Sequence, residues 1–253
     1  MVKNKYSCFF IFCISVIAFS SCKKPADNTE AYGTVKVVFK NKVKNDALVL
    51  NTQTYTNSFN EEYSISKFKY YISNVALSHG NYTSAENNSY HLIDAADPAS
   101  QTFSFNVAAN HPYQSIHFLI GVDSLRNVSG AQTGALDPVN DMFWTWNSGY
   151  IMAKLEGNSP ASPAINHKIE YHIGGFSGIN NVLKPVVIDL GGLNIQNGKT
   201  TEIIIDADIN TWWQDPNDLK FANSPVSAMP GELSKKYADN YRKMFTLKSV
   251  TNL

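Results

Sequence analysis

The chain has 253 residues, of which 43% are hydrophobic, so it is long enough to bury a substantial core. It carries 21 Lys and Arg residues against 21 Asp and Glu residues, which gives a formal net charge of zero. No overall field therefore attracts the protein to nucleic acid or to an anionic membrane, and nucleic acid is not expected as a partner. Partners have to be inferred from local features.

The N-terminal residues have the layout of an export signal. Lys3 and Lys5 precede the apolar run CFFIFCISVIAF, which is too short to span a bilayer comfortably. Small residues then lead directly to Cys22, as in a bacterial lipobox. We predict a lipoprotein-type signal peptide over 1–21 and a lipid on Cys22 that attaches the protein to a membrane. The alternative is ordinary secretion with a free thiol at Cys22.

The cysteines and the segment after them set the domain limits. Cys8, Cys13 and Cys22 are the only cysteines and all belong to the export segment, so the mature domain has neither disulfides nor cysteine ligands for zinc. Residues 22–32 are polar and lack periodicity, as expected of a lipid-anchored tether. We predict one folded domain over 33–253. Lys23 and Lys24 directly follow the lipidated cysteine with no acidic stretch, which favours an outer-membrane protein of the cell envelope that faces the periplasm.

Most of the domain has the period-two hydrophobicity of half-buried strands. Apolar residues alternate in three runs: Val35, Val37 and Phe39; Phe68, Tyr70 and Ile72; Ile203, Ile205 and Ala207. Further strands are predicted over 102–107, 115–122, 143–154, 166–174 and 185–190, between clusters of Gly, Asn and Pro. We therefore predict an all-β fold, an antiparallel β-sandwich or barrel-like domain, with a short C-terminal helix in ELSKKYADNYRKMF.

Histidines are the candidate ligands of the mature chain. None of the six forms a pair at helical spacing, so a zinc-protease type of site has no support. His172 comes at the end of a predicted strand, beside Gly174 and Gly175, where the backbone can approach another group closely. This placement suits a ligand, and it also suits an ordinary hydrogen-bonded surface histidine.

Two tryptophans lie one residue apart in DMFWTWNSGYIMAKLE. In a single strand over 142–154, Met142, Trp144 and Trp146 would share one face. Paired tryptophans are ordinarily core residues, because the indole buries a large area and its N–H needs one partner. The alternative is that one indole is a target of oxidation and becomes part of a metal site.

Several stretches resemble the copper-binding MbnP-like domain family of exported bacterial proteins. The matching stretches run from about residue 35 to 245: KFKYYISNVAL, FLIGVDSLRNVSGAQTGALDP, MFWTWNSGYIMAKLEG, YHIGGFSG and ADNYRKMF. The resemblance implies an all-β domain that binds copper and has no catalytic turnover of its own. It also implies a partner, since in better-known members a MauG-like dihaem enzyme oxidises a tryptophan to kynurenine, which joins histidines around copper.

Carried over to this chain, the resemblance implies that His172 is a copper ligand and that Trp144 and Trp146 are the tryptophan pair. Copper-binding members carry another histidine in the loop where this chain has LRNV at 125–128. One imidazole alone makes a poor copper site. His117 is the candidate substitute, with Asp123 in a supporting role.

The sequence thus predicts a copper-binding or copper-handling envelope lipoprotein that binds rather than catalyses. Two alternatives stay open. One is a structural or interaction lipoprotein that keeps the fold without the metal. The other is a redox partner in which Trp144 or Trp146 is oxidised by a dihaem MauG-like enzyme.

Overall fold

The computed structural model describes Met1 and residues 30–130, 132–145 and 149–253. Apart from Met1, the predicted signal peptide lies outside the described residues, as do Cys22 and Trp146. The helices are α1 (Ser124–Asn127) and α2 (Glu232–Tyr241). The strands are β1 (Tyr32–Val43), β2 (Asp46–Ala47), β3 (Tyr55–Thr56), β4 (Glu62–His79), β5 (Tyr82–Ala85), β6 (Tyr90–Asp94), β7 (Thr102–Ala108), β8 (Pro112–Ile120), β9 (Phe143–Trp144), β10 (Gly149–Asn158), β11 (Lys168–Gly174), β12 (Lys184–Asn194), β13 (Thr200–Asp208), β14 (Val226–Ser227) and β15 (Phe245–Asn252).

The strands form two open sheets, which confirms the prediction of a mainly-β, sandwich-like fold with a small helix. In the first sheet the order is β15-β13-β1, with β7 and β2 also paired to β1. In the second the order is β12-β8-β4-β10-β11-β14, and β3, β5 and β6 pair with β4 while β9 pairs with β10. Pairing is antiparallel except for β1 with β13 and β11 with β14, which are parallel. Periodicity predicts strands but not their partners, so these two pairs were not foreseen.

The core lies between the sheets and follows the predicted alternation. Val35, Val37 and Phe39 are at most 1% exposed. Phe39 packs against Tyr70 and Phe118 of the second sheet, with ring centroids 6.1 and 5.9 Å apart and nearly perpendicular planes. Fully burying side chains of this size stabilises a fold by roughly 1.5–3 kcal/mol each, so this face holds the two sheets together.

A second aromatic layer lies under α2. The helix places Tyr237 and Tyr241 on one face, four residues apart, and both are fully buried. They cover Trp212 and Trp213, which belong to a 3-10 turn after β13. The ring centroids of Trp212 and Tyr241 are 5.0 Å apart. The helical spacing of apolar residues in ELSKKYADNY thus buries one face of α2. Neither helix among the described residues is long and apolar enough to cross a membrane.

The outer face of the second sheet is covered in part by chain that follows β8 and includes β9. We call residues 132–145 the covering segment. The Tyr71 hydroxyl donates to the carbonyl of Ala135 at 3.0 Å, and the Tyr150 hydroxyl donates to the carbonyl of Leu136 at 2.7 Å. Tyr71 is therefore fully buried although it alternates with core residues along β4.

The tryptophan stretch is not one strand. β9 ends at Trp144, β10 begins at Gly149, and the two pair antiparallel, with Trp144 opposite Gly149 and Phe143 opposite Tyr150. The prediction of a continuous strand over 143–154 was wrong, because the chain reverses direction between β9 and β10. The dipeptide Ser148-Gly149 is a turn signal that could have indicated the break.

Candidate metal site

His172 is the sequence-predicted ligand that the fold places in a polar setting. It lies on β11, opposite Lys154 of β10, and its Nε2 is 2.8 Å from Oε1 of Glu156. A carboxylate only accepts hydrogen bonds, so Nε2 donates. This hydrogen bond, which outweighs the opposing effect of burial, lowers the pKa of Glu156 below its usual value. The imidazole is thereby held by its neighbour across the strand pair.

An ion-pair network continues from Glu156 towards the covering segment. Lys67 Nζ is 3.3 Å from Glu156 and 2.9 Å from Asp141, and Lys154 Nζ is also 2.9 Å from Asp141. Partial burial would raise the pKa of Asp141, but the two ammonium groups lower it to about 2. Lys154 is buried and also donates to the Asp141 carbonyl. Asp141 therefore ties the covering segment to the sheet three residues before Trp144.

Trp144 packs on the same outer face as His172. Its ring lies against Gly174, where an added methyl group would come within 2.7 Å of the indole carbon Cη2. Residues 172 and 174 point to the same side of β11, because side chains alternate along a strand. The indole is 6% exposed and borders a cavity of about 240 Å³ whose walls include Phe176 and Pro230. The structure thus places Trp144 and His172 on the same face of the sheet.

His117 is held elsewhere on the sheet. It lies on β8, and β4 and β10 separate β8 from β11. Three strand spacings amount to about 14 Å, whereas two ligands of one metal lie within a few ångströms of each other. Its Nε2 is 2.5 Å from the Ser78 hydroxyl and 2.8 Å from the Ser115 hydroxyl. The fold does not bring His117 to His172.

Asp123 has a structural role at the start of α1. Its carboxylate accepts from the backbone N–H of Arg126 at 3.1 Å and from the hydroxyl of Tyr90. Partial burial would raise the pKa of Asp123, but these hydrogen bonds lower it below its usual value. This arrangement is that of a helix N-cap.

The donor set fits copper only in part. His172 and Glu156 supply one imidazole and one carboxylate, and within the described residues no group of three His, Cys, Asp or Glu side chains could hold a metal. Sequence reasoning did not single out Lys154, Glu156 or Asp141. A sequence signal for Lys154 and Glu156 was available, because they are charged and lie two residues apart in the otherwise apolar run YIMAKLEG. This alternation indicates a strand with a polar outer face.

The observations define a mainly-β domain with a polar cluster and a tryptophan on one sheet face. The family model described as MbnP matches residues 32–230, more than half of the chain, and the protein belongs to the MbnP family. A structural comparison relates it to MbnP from Methylosinus trichosporium at 13% identity, covering 87% of this chain and 99% of that chain, with a TM-score of 0.48. No curated protein matches the sequence.

Proposed function

We propose that this protein is a copper-handling lipoprotein of the cell envelope that binds rather than catalyses. The observation that supports it is the placement of His172, held by Glu156, on the same sheet face as Trp144 in a member of the MbnP family. Copper ions prefer imidazole nitrogen and softer donor atoms, so His172 is the residue that would hold the metal.

The chain's own residues prepare the imidazole for a metal. Because Nε2 donates to Glu156, the neutral ring of His172 carries its lone pair on Nδ1, which is the atom offered to a ligand. A carboxylate in this position orients a ligating histidine and raises its basicity. Glu156 is in turn held by Lys67, so two charged side chains set the orientation of one ring.

The test is retention of Cu(I) by the purified domain after desalting. We expect about one equivalent in the parent protein, a large loss in His172→Ala, and an intermediate value in Glu156→Gln. His111→Ala is the matched control, because His111 stacks on Tyr82 on another part of the surface and has no role in the proposed site. No retention by the parent protein ends the copper proposal.

The membrane part of the proposal rests on Cys22. A lipid on this residue would attach the domain to the outer membrane on its periplasmic side. We expect Cys22→Ser to move the protein from the membrane fraction to the soluble fraction, with the folded domain unchanged by circular dichroism. Membrane association that survives the substitution would contradict the lipid anchor.

A second candidate is a structural or interaction lipoprotein that keeps the fold without the metal. The separation of His117 from His172, and the two serine hydroxyls on the His117 Nε2, favour it. It predicts that Cu(I) retention is absent in the parent protein and that replacing His172 changes neither stability nor phenotype.

A third candidate is a redox partner whose tryptophan is oxidised by a dihaem MauG-like enzyme. The position of Trp144 at the rim of a cavity favours it, since an oxidant needs access to the indole. Mass analysis of the 141–154 peptide from the native cell tests this candidate. An unmodified peptide would count against it.

A further inference from the structure

A second cavity lies at the opposite end of β10 from Trp144. It has a volume of about 510 Å³, and its lining residues are Thr54, Glu62, Tyr63, Ser64, Asn158, Ser159, Pro160, Asn166 and His167. The nine residue-to-residue steps of extended strand from Gly149 to Asn158 put it about 30 Å from the tryptophan end. The volume is in the range of small-molecule sites, which is about 300–1,000 Å³. We call it the distal pocket.

The walls of the distal pocket are joined by one buried serine. The Ser159 hydroxyl donates to the carbonyl of Glu62 at 2.6 Å, and the Ser159 N–H donates to the carbonyl of His167 at 2.9 Å. Ser159 is fully buried, so both bonds are shielded from water. The backbone on the two sides of the pocket is therefore held in place without a ligand.

A hydrogen bond to the backbone fixes the orientation of the His167 ring. Its Nδ1 lies 3.0 Å from the carbonyl of Ser162, which only accepts, so Nδ1 carries the proton and donates. In the neutral ring the lone pair is then on Nε2, which has no hydrogen-bond partner among the residues the structure describes. His167 has a φ of 53° and the preceding Asn166 a φ of 58°, in the left-handed region. Such strained conformations cluster at ligand-binding sites.

The other polar groups of the pocket add acceptors. Glu62 is exposed, and its carboxylate forms no ion pair within the described part of the chain. It is therefore available to a ligand. The Asn158 amide nitrogen donates to the carbonyl of Asn166 at 2.8 Å, which leaves the Asn158 Oδ1 as an acceptor. Glu62, Asn158 and His167, which carry these three kinds of acceptor, all line the cavity, and no lysine or arginine of the described residues lines it.

We infer that the distal pocket binds a small organic molecule with a primary ammonium group on an apolar body. A primary ammonium offers three donors and one positive charge, which complements a carboxylate, an amide oxygen and a neutral imidazole nitrogen. Pro160 is in the lining and is exposed, so its ring suits contact with the apolar body. A bare metal ion is disfavoured, since the described residues hold no group of three metal-binding side chains.

The experiment titrates the full protein with phenethylammonium by calorimetry and by NMR shifts of the histidine ring protons. We expect a dissociation constant of about 1 mM, as is reasonable for so small a ligand. 2-Phenylethanol, which keeps the apolar body and lacks the charge, should bind at least tenfold more weakly. Glu62→Gln should weaken phenethylammonium binding about tenfold, because it removes a charge-assisted hydrogen bond.

His167→Asn is the second variant, because asparagine tolerates the left-handed backbone conformation and the fold should survive. It should weaken binding severalfold. Glu232→Gln, an exposed carboxylate on α2, is the matched control and should bind as the parent does. The inference is overturned if phenethylammonium and 2-phenylethanol bind equally, if the parent shows no shifts, or if Glu232→Gln weakens binding as much as Glu62→Gln. Unchanged binding in His172→Ala would show that this site is separate from the proposed copper function.

Discussion

Two tryptophan regions of this protein have opposite surroundings. Trp212 and Trp213 are fully buried beneath α2, and each indole N–H has an apolar or aromatic neighbour as its acceptor, Met244 Sδ at 3.4 Å and Tyr63 Oη at 3.2 Å. Trp144 instead lies on the outer face of a sheet, at the rim of a cavity, three residues from an ion-pair network. The difference teaches that the covering elements, and not the residue type, decide whether a tryptophan only fills a core.

The largest expected loss of stability comes from a substitution in the buried tryptophan region. Trp212→Ala should lower the free energy of unfolding by about 3–5 kcal/mol, because it removes a large side chain and leaves a cavity under α2. Urea unfolding measures it, with an unchanged slope against urea as the sign that both end states are preserved. Trp144→Ala should cost clearly less, since the Trp144 ring already borders open space. Equal losses would remove the distinction between the two regions.

The next effect concerns the contact that seats Trp144. Gly174→Ala should lower the free energy of unfolding by about 2 kcal/mol, because the new methyl group overlaps the indole and forces it to move. Combining it with Trp144→Phe should recover part of the loss in a double-mutant cycle. Full recovery is not expected, since the Tyr150 carbonyl would also lie 2.9 Å from the added carbon. A purely additive double variant would mean that the ring is not the obstacle.

A smaller effect should come from the tie between the covering segment and the sheet. Asp141→Asn should cost about 1–2 kcal/mol of unfolding free energy, because the buried Lys154 ammonium loses its carboxylate. Asparagine tolerates the left-handed φ of 62° at this position, so backbone strain is not the cause. Lys36→Met, which breaks the partly exposed Lys36–Glu202 pair, is the control and should change stability by less than about 0.5 kcal/mol.

The smallest expected effect is a dependence of stability on acid pH. The pKa of Asp141 is about 2 in the folded protein against 3.8 for the unperturbed group, so ionised Asp141 stabilises the fold above about pH 4. This contribution is lost as the pH falls from about 4 to about 2. Because the side chain is 61% exposed, solvent screening reduces the effect to about 1 kcal/mol. The stability gap between the parent and Asp141→Asn should close over this range; a constant gap would contradict the assignment.

Much of the fold was predictable because its signals are local. The alternation of Val35, Val37 and Phe39 predicted a half-buried strand, and the spacing of apolar residues in ELSKKYADNY predicted α2. Family membership was also predictable, since the resemblance is spread over most of the mature chain and the MbnP family model matches residues 32–230.

The candidate site was predictable only in its first member. His172 followed from its strand-end position and the resemblance, but its partner Glu156 did not, because cross-strand pairing depends on register between segments distant in sequence. The separation of His117 from His172 could not be predicted for the same reason, because it depends on the order of the strands in the sheet. The roles of Asp141 and Lys154 depend on how the covering segment folds back onto the sheet, and no local pattern reports that.

The sequence by itself determined the main strands, the C-terminal helix and the family, because periodicity and motif identity are properties of neighbouring residues. Only the tertiary structure decided that β1 runs parallel to β13, that Trp144 faces the His172 side of the sheet, and that Lys154 is buried against Asp141. These features arise where segments far apart in the chain meet. Their free energies depend on burial, register and charge that exist only after folding.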